Sequence, residues 1–171
     1  MLQLNQLIGF GGRSQITAYR YFRLTIDKIK TTGTTGQPIY AWDLFDGTSW
    51  VATNMTSNTA PSPLVASCID GSANAWRLHD GSLATFHQVA GNYVSQVKSP
   101  SDWHKIDLGS GNEITPTKIR VAWYNTGGID TTGEDFKLEA SNNDSSWVLF
   151  QEWTGQASQT HQTLVEYPIA A

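Results

Sequence analysis

Apolar and charged residues alternate along several short stretches of this chain, which is the pattern of β-strands that bury one face. Phe136, Leu138 and Ala140 fall on one side of such a strand, with Lys137 and Glu139 on the other. The same period of two predicts three more strands. The first has the core residues Phe22, Leu24 and Ile26, the second has Ile119, Val121 and Trp123, and the third is a closing strand over residues 162–169. The pattern therefore predicts a sheet with one buried and one solvated face.

Polar segments rich in Ser, Asn, Asp and Gly separate the predicted strands. Residues 141–146 favour a hairpin turn, because short polar side chains fold back onto their own backbone. Asp46-Gly47 is a pair typical of tight turns and predicts strands over residues 39–45 and 50–53, while residues 31–38 are predicted to interrupt the sheet. Two-faced strands joined by polar turns predict an all-β fold, an antiparallel β-sandwich or barrel.

The composition agrees with this fold and disfavours one class of partner. With 171 residues, the chain is long enough for one domain with a substantial core. Seven Trp, six Tyr and six Phe accompany 15 Gly, which favours many short strands and turns. The formal net charge of -4 gives no basic surface for a phosphate backbone, so we expect no nucleic-acid partner.

The cysteine count and the absence of long apolar runs indicate the cellular compartment in which the chain folds. Cys68 stands alone, so no disulfide forms within the chain and we expect folding in a reducing cytoplasm. Residues 1–10 lack the cationic start and small-residue cleavage site of a signal peptide, and no run reaches membrane length. We therefore expect neither secretion by that route nor membrane insertion.

The first sixteen residues differ from the rest, and we predict an N-terminal docking arm over residues 1–16 and a β-sandwich domain over residues 17–171. The arm ends in a Gly-rich hinge. An apolar hinged arm suggests docking on another subunit, and the alternative is an edge strand packed across its own domain. The residues predicted to dock are Leu2, Leu4, Leu7, Ile8 and Phe10.

The order of several motifs resembles the discoidin family, the coagulation-factor type C domains among the galactose-binding-like sandwiches. The motifs are Asp70-Gly71, Trp76, Trp103-His104-Lys105-Ile106-Asp107-Leu108-Gly109, Phe136-Lys137-Leu138-Glu139-Ala140-Ser141 and Trp147. The resemblance covers about residues 17 to 169 and implies a jelly-roll sandwich. Many secreted members carry a disulfide between their ends, which this chain cannot form. The polar loops and negative charge also argue against the phospholipid binding of membrane-binding members.

A shorter resemblance points to bacteriophage proteins. Tyr19-Arg20-Tyr21-Phe22-Arg23-Leu24 and the leader Leu4-Asn5-Gln6-Leu7-Ile8-Gly9-Phe10-Gly11 are similar to segments of discoidin-like phage proteins. This resemblance implies a virion accessory protein, such as a tail, fibre or head-decoration component. It would fold in the host cytoplasm, contact other virion subunits and form a homo-oligomer on a symmetric particle.

The sequence shows no catalytic motif, so we expect no enzyme. A nucleophilic Cys68 would need a base and an orienting partner, neither of which is visible nearby, and a buried apolar role is the alternative. His79, His87, His104 and His161 show no zinc-binding spacing, so a zinc site would have to be assembled in three dimensions. By the family resemblance Asp70 is a candidate ligand of a structural calcium ion, with an Asx turn as the alternative, and we expect no other cofactor.

Carbohydrate binding is the sharpest functional hypothesis. Sugars are held by an aromatic ring and a few planar hydrogen-bonding groups, and residues 70–93 supply both. The candidates are Trp76, Arg77, His79, Asp80, Asn92 and Tyr93. In the alternative interpretation Trp76 caps the sandwich, while Trp103, Trp123 and Trp147 are predicted in the core or at its rim. The sequence thus predicts a structural or adhesive subunit that binds host glycan. The alternatives are a capsid-decoration protein without ligand and a carbohydrate-binding module of a larger enzyme system.

Overall fold

The structure is a computed structural model that describes residues 17–31, 34–93 and 96–170. The predicted arm over residues 1–16, with Leu2, Leu4, Leu7, Ile8 and Phe10, lies outside these residues. Antiparallel strands form nearly all of the regular structure, and their sheets pack together as a β-sandwich. The predicted fold class is confirmed.

Eleven strands and one short 3-10 helix make up the regular structure of the described residues. In chain order they are β1 (Tyr21–Ile29), β2 (Thr34–Phe45), β3 (Val65–Cys68), the 3-10 helix (Ala75–His79), β4 (His87–Tyr93), β5 (Val97–Asp107), β6 (Lys118–Trp123), β7 (Asn125–Thr126), β8 (Ile129–Asp130), β9 (Gly133–Ser141), β10 (Val148–Trp153) and β11 (Leu164–Pro168).

Two main sheets form the sandwich. The five-stranded sheet has the order β10-β9-β1-β5-β3, and the four-stranded sheet has the order β11-β6-β2-β4. Strands β7 and β8 form a separate two-stranded hairpin. Every described pairing is antiparallel. Strand β1 lies in the centre of its sheet, whereas β3 and β4 lie at the edges of different sheets.

The alternating residues of the sequence fill the space between the sheets. The predicted core residues of β1, β6 and β9 have no exposed surface: Phe22, Leu24, Ile26, Ile119, Val121, Trp123, Phe136, Leu138 and Ala140. The Trp123 indole N–H also finds a buried acceptor, since Nε1 donates to the Tyr167 hydroxyl at 2.9 Å. The period-two pattern therefore identified the buried face correctly.

Two predicted strand boundaries differ from the structure, and pairing between distant strands explains the first. Strand β2 already begins at Thr34, because its first half pairs with β4, so the predicted interruption over residues 31–38 is shorter than expected. Residues 50–53 form no strand, and Trp50 makes only an isolated bridge to Phe45. In the first case, the pairing of β2 with β4 overrides the weak local strand preference of a segment that contains Gly36 and Pro38.

The Asp107-Leu108-Gly109 motif has a structural explanation. Asp107 pairs with Arg20 through two hydrogen bonds of 2.6 and 2.8 Å and accepts the Gly109 N–H at 2.8 Å. Gly109 has a φ of +82°, and a Cβ there would clash with the Pro63 side chain. The motif therefore ends β5 with a turn that only glycine fits.

Candidate functional site

On the outer face of the five-stranded sheet, the side chains of the central strands lie in two neighbouring rows. Thr25 of β1 pairs in register with Trp103 of β5 on one side and Lys137 of β9 on the other. One step along, Arg23 pairs with Lys105 and Glu139. Side chains two residues apart share a face, so these two rows lie next to each other. These rows place an aromatic ring beside charged and hydroxyl groups.

The turn between β9 and β10 folds over these two rows of side chains. The Asn143 side chain shapes the turn, because Oδ1 accepts the Ser146 N–H at 2.8 Å. Both carboxylate oxygens of Asp144 then accept hydrogen bonds from the Lys105 ammonium, at 2.7 and 2.6 Å. At the end of the turn, the Trp147 ring centre lies 4.3 Å from the Arg23 guanidinium carbon. The turn therefore adds a second indole to the sheet face.

The charged groups on this face are paired with one another. Arg23 donates two hydrogen bonds to Glu139, at 2.8 and 2.9 Å, and Thr25 Oγ1 donates a third at 2.6 Å. Burial alone would raise the pKa of Glu139, but the hydrogen bonds from Arg23 and Thr25 outweigh it and lower the pKa below its ordinary value. Lys137 pairs with Asp27 at 3.0 Å. The surface is rich in donors and acceptors, yet its charges balance.

Two adjoining hollows form what we call the sheet-face groove. The smaller has a volume of ≈ 160 Å³ and the larger ≈ 300 Å³, and Arg23 and Trp103 line both. Trp103 and Trp147 are only partly buried. The smaller hollow is completed by Lys105, Asp144 and Trp147, and the larger by Thr25, Ile69, Ser101, Lys137 and Glu139.

A larger opening of ≈ 470 Å³ lies among the loops at one end of the sandwich, with Trp50 in its wall. Trp50 and Asp46 in its wall already make contacts within the protein. The Arg120 guanidinium carbon lies 4.1 Å from the centre of the Trp50 ring, and Phe45 packs against the same ring at 5.1 Å. Asp46 accepts the Ser49 and Thr48 N–H groups, which lowers the pKa of its carboxyl. The sheet-face groove offers more hydrogen-bonding groups beside its rings.

Of the six sugar-binding candidates, the structure describes the side chains of four, and one of these is buried. Trp76 is partly buried and packs against the core, which agrees with the alternative in which it caps the sandwich. Arg77 lies near it, with the guanidinium carbon 6.0 Å from the ring centre. His79 faces inward and is only 2% exposed, packed 5.1 Å from the Trp42 ring. Burial lowers the pKa of His79 to about 4. This burial leaves little of the His79 ring for contact with a surface sugar, although the ring lines a hollow of ≈ 200 Å³.

Of the other three candidates, only the Asp80 side chain is described. Asp80 shapes its own turn, because its carboxylate accepts the Ser82 N–H at 2.7 Å and the Thr85 hydroxyl at 2.5 Å. Asn92 and Tyr93 end strand β4, and their side chains lie outside the described part of the structure. No convergence of the six residues is therefore visible among those described.

Asp70 lies in the turn after β3 and forms the Asx turn considered as the alternative to calcium binding. Its Oδ1 accepts the Ser72 N–H at 2.9 Å and lies 2.9 Å from Cys68 Sγ. Burial, together with the Asp70 carboxylate, raises the pKa of the Cys68 thiol to about 12. His87 approaches the same sulfur at 3.8 Å, a neighbour that the sequence did not reveal. A protonated thiol is a poor nucleophile, so the pair does not resemble an activated catalytic dyad.

Sequence reasoning missed the sheet-face groove because it placed Trp103 and Trp147 in the core or at its rim. A signal was present for Trp103. It shares its alternation with Lys105 and Asp107, whereas His104 and Ile106 occupy the buried positions of β5. Trp147 follows a turn and has no such pattern.

Within the described residues, no helix has the length and apolar character required to cross a bilayer. Comparisons with protein-family models, with curated proteins and with solved structures found no significant match.

Proposed function

We propose that this chain is a non-enzymatic carbohydrate-binding protein and that its sheet-face groove holds a neutral sugar. The observation that supports the proposal best is the pair of partly exposed indoles, Trp103 and Trp147, beside a fixed set of hydrogen-bonding groups. An indole packs against the apolar face of a pyranose, while Arg, Asp and Glu side chains bind vicinal hydroxyls. Both kinds of group line the same hollow.

The charge balance of the groove favours a neutral ligand. Three basic residues on this face are each matched by an acidic partner, at 2.8 Å for Arg23 with Glu139, 2.6 Å for Lys105 with Asp144 and 3.0 Å for Lys137 with Asp27. An anionic ligand would have to displace these carboxylates, at the cost of leaving them unpaired. A sugar hydroxyl can both donate and accept, so it can join the existing pairs.

The size of the groove suits a short glycan segment. The larger hollow, at ≈ 300 Å³, lies at the lower limit of the roughly 300–1,000 Å³ typical of small-molecule sites. Both hollows are shallow and open on the sheet surface. We therefore expect weak binding by each copy, which repetition on a multivalent assembly would strengthen.

We further propose that the assembly is a bacteriophage particle, on which this chain is an adhesive or structural accessory subunit. This part rests on the resemblance of residues 17–169 to discoidin domains and of the leader to phage proteins. In this setting other virion subunits hold the chain, and the groove contacts glycans of the host surface.

A second candidate function, assembly without a ligand, has one observation in its favour. Val148 and Leu149 are 45% and 59% exposed, and both lie on β10, at the edge of the five-stranded sheet. An exposed apolar edge strand is able to pair with another chain.

Glycan-array binding tests the proposed function. The protein should be displayed multivalently, as the wild type and as Trp103→Ala. Binding of the wild type to neutral glycans, with loss of signal for Trp103→Ala, is the expected result. No binding by the wild type, or an equal signal from both proteins, would overturn the proposal.

A further inference from the structure

Three potential metal ligands meet at one edge of the sandwich. Cys68 Sγ lies 2.9 Å from Asp70 Oδ1 and 3.8 Å from His87 Nε2, and one ligand atom from each residue lies within 4.8 Å of the other two. Cys68 ends β3 and Asp70 follows in the turn, whereas His87 begins β4. The cluster therefore joins an edge strand of the five-stranded sheet to an edge strand of the four-stranded sheet.

The separations fit a tetrahedral zinc site with small adjustments. Zn–S bonds of about 2.3 Å and Zn–N or Zn–O bonds of about 2.0–2.2 Å place neighbouring ligand atoms roughly 3.4–3.6 Å apart. The sulfur–nitrogen distance of 3.8 Å is close to this value. The sulfur–oxygen distance of 2.9 Å would have to widen by roughly 0.5 Å, which requires a rotation of the exposed Asp70 side chain.

A second observation comes from the imidazoles beside the cluster. His87 is 3% exposed, and its Nδ1 has no hydrogen-bond partner in the described structure. His104 is 1% exposed and packs its ring 5.2 Å from that of His87, and neither of its nitrogens has a hydrogen-bond partner among the described residues. Buried polar atoms without partners are rare, because each loses its bonds to water. The cluster therefore borders on buried imidazole nitrogens that no described protein group satisfies.

We propose that Cys68, Asp70 and His87 bind a zinc ion that ties the two sheets together at their β3 and β4 edges. Thiolate and imidazole are donors that select zinc over calcium, which prefers six to eight oxygen ligands. The exposed side of Asp70 gives the ion an entry path and leaves a coordination position for water. Binding releases the thiol proton, because the metal takes the sulfur as a thiolate. The role is structural, and it is independent of sugar binding in the groove.

The test uses the full 171-residue chain after treatment with a chelator. Co²⁺ serves as a spectroscopic probe, since a thiolate ligand gives a charge-transfer band in the near ultraviolet. Zn²⁺ is then titrated in competition with Co²⁺, and thermal unfolding is measured with and without Zn²⁺. We expect one ion per chain, the charge-transfer band, and a Tm increase of roughly 5–10 °C at zinc well above its Kd.

The chain offers a matched pair of variants. Asp70→Asn removes the carboxylate but keeps an oxygen for the Ser72 N–H, and Asp80→Asn makes the same change in the nearby turn that binds the Ser82 N–H. Only Asp70→Asn should weaken zinc binding, by roughly tenfold or more. His87→Gln should do the same, and Cys68→Ser should abolish the charge-transfer band.

Three results would overturn the proposal. The first is the absence of a charge-transfer band in the wild type, which does not depend on the folding of any variant. The second is equal zinc affinity in Asp70→Asn and Asp80→Asn. The third is a Tm increase with Ca²⁺ but none with Zn²⁺, which would indicate an oxygen-ligand site instead.

Discussion

The Arg23 guanidinium carbon lies 4.3 Å from the centre of the Trp147 ring, and the same group pairs with Glu139 at 2.8 Å. The planar cation is thus held by a ring on one side and a carboxylate at its edge. Arg23 connects the side chains on the outer face of the sheet to the turn that folds over them. Arg23 also lines both hollows of the groove. Its position therefore fixes the shape of the proposed binding surface.

Arg23→Lys should weaken glycan binding roughly tenfold, because lysine cannot form the two-pronged pair or stack on Trp147. The affinity is measured by titration calorimetry with a glycan selected from the array. Arg20→Lys is the matched control, since it removes a similar two-bond pair with Asp107 and Arg20 does not line the groove. If Arg20→Lys weakened binding as much as Arg23→Lys, the assignment of the groove would be wrong.

Buried histidines predict a loss of stability in mild acid. Burial lowers the pKa values of His79, His87 and His104, to about 4 for His79. Above the unfolded pKa of about 6.5, histidine is neutral in both states and its full contribution to stability is present. As the pH falls through 6.5 towards 4, the unfolded chain takes up protons first. The free energy of unfolding therefore falls in this range, by about 3 kcal/mol from His79 alone.

Asp43 changes the stability in the opposite direction as the pH falls, so its effect has to be separated from that of the histidines. Burial raises the pKa of Asp43 to about 6, so protonation of the folded state adds stability as the pH falls from about 6 to 4. Urea unfolding of the wild type and His79→Gln at pH 7.5 and pH 4.5 isolates the His79 contribution. The stability advantage of the wild type should shrink towards pH 4.5. An advantage that is independent of pH would contradict the prediction.

Gly109→Ala should destabilise the fold more than Gly111→Ala. Both residues have a positive φ, +82° and +83°, so alanine pays the same backbone cost of about 1–2 kcal/mol at each position. A Cβ at 109 also meets the Pro63 side chain, whereas a Cβ at 111 meets nothing within 4 Å. The clash adds about 1–3 kcal/mol, measured by denaturant unfolding. Equal destabilisation would show that the contact with Pro63 is easily relieved.

Leu149→Lys separates assembly from sugar binding. The side chain is 59% exposed on the edge strand β10 and does not line either hollow of the groove. If this edge joins copies of the chain, the charge should reduce the apparent mass in analytical ultracentrifugation while leaving glycan affinity per chain unchanged. Thr154→Lys, an exposed position just after β10, is the control. Unchanged mass in Leu149→Lys would count against assembly through this edge.

The sandwich was predictable because strand alternation is local. The positions of Phe22, Leu24 and Ile26, and of Phe136 and Leu138, follow from a period of two in their own segments. Strand β4 and the first half of β2 were missed, because each is ordered by the other rather than by its own residues.

The sites were less predictable, for two physical reasons. Tryptophan is usually well buried, so Trp103 and Trp147 were placed in the core or at its rim, although the alternation of β5 puts Trp103 beside Lys105. The meeting of Cys68 with His87 depends on how the edges of two different sheets align. No spacing in the sequence contains that information.

The affinity of Trp103→Ala for a glycan selected on the array tests the central claim most directly. Titration calorimetry should compare the wild type, Trp103→Ala and Trp76→Ala, after circular dichroism confirms that all three are folded. We expect Trp103→Ala to weaken binding by roughly tenfold or more, from the loss of ring stacking, and Trp76→Ala to bind like the wild type. Full affinity in Trp103→Ala, with loss in Trp76→Ala, would contradict the sheet-face groove and return the site to the loop of residues 70–93.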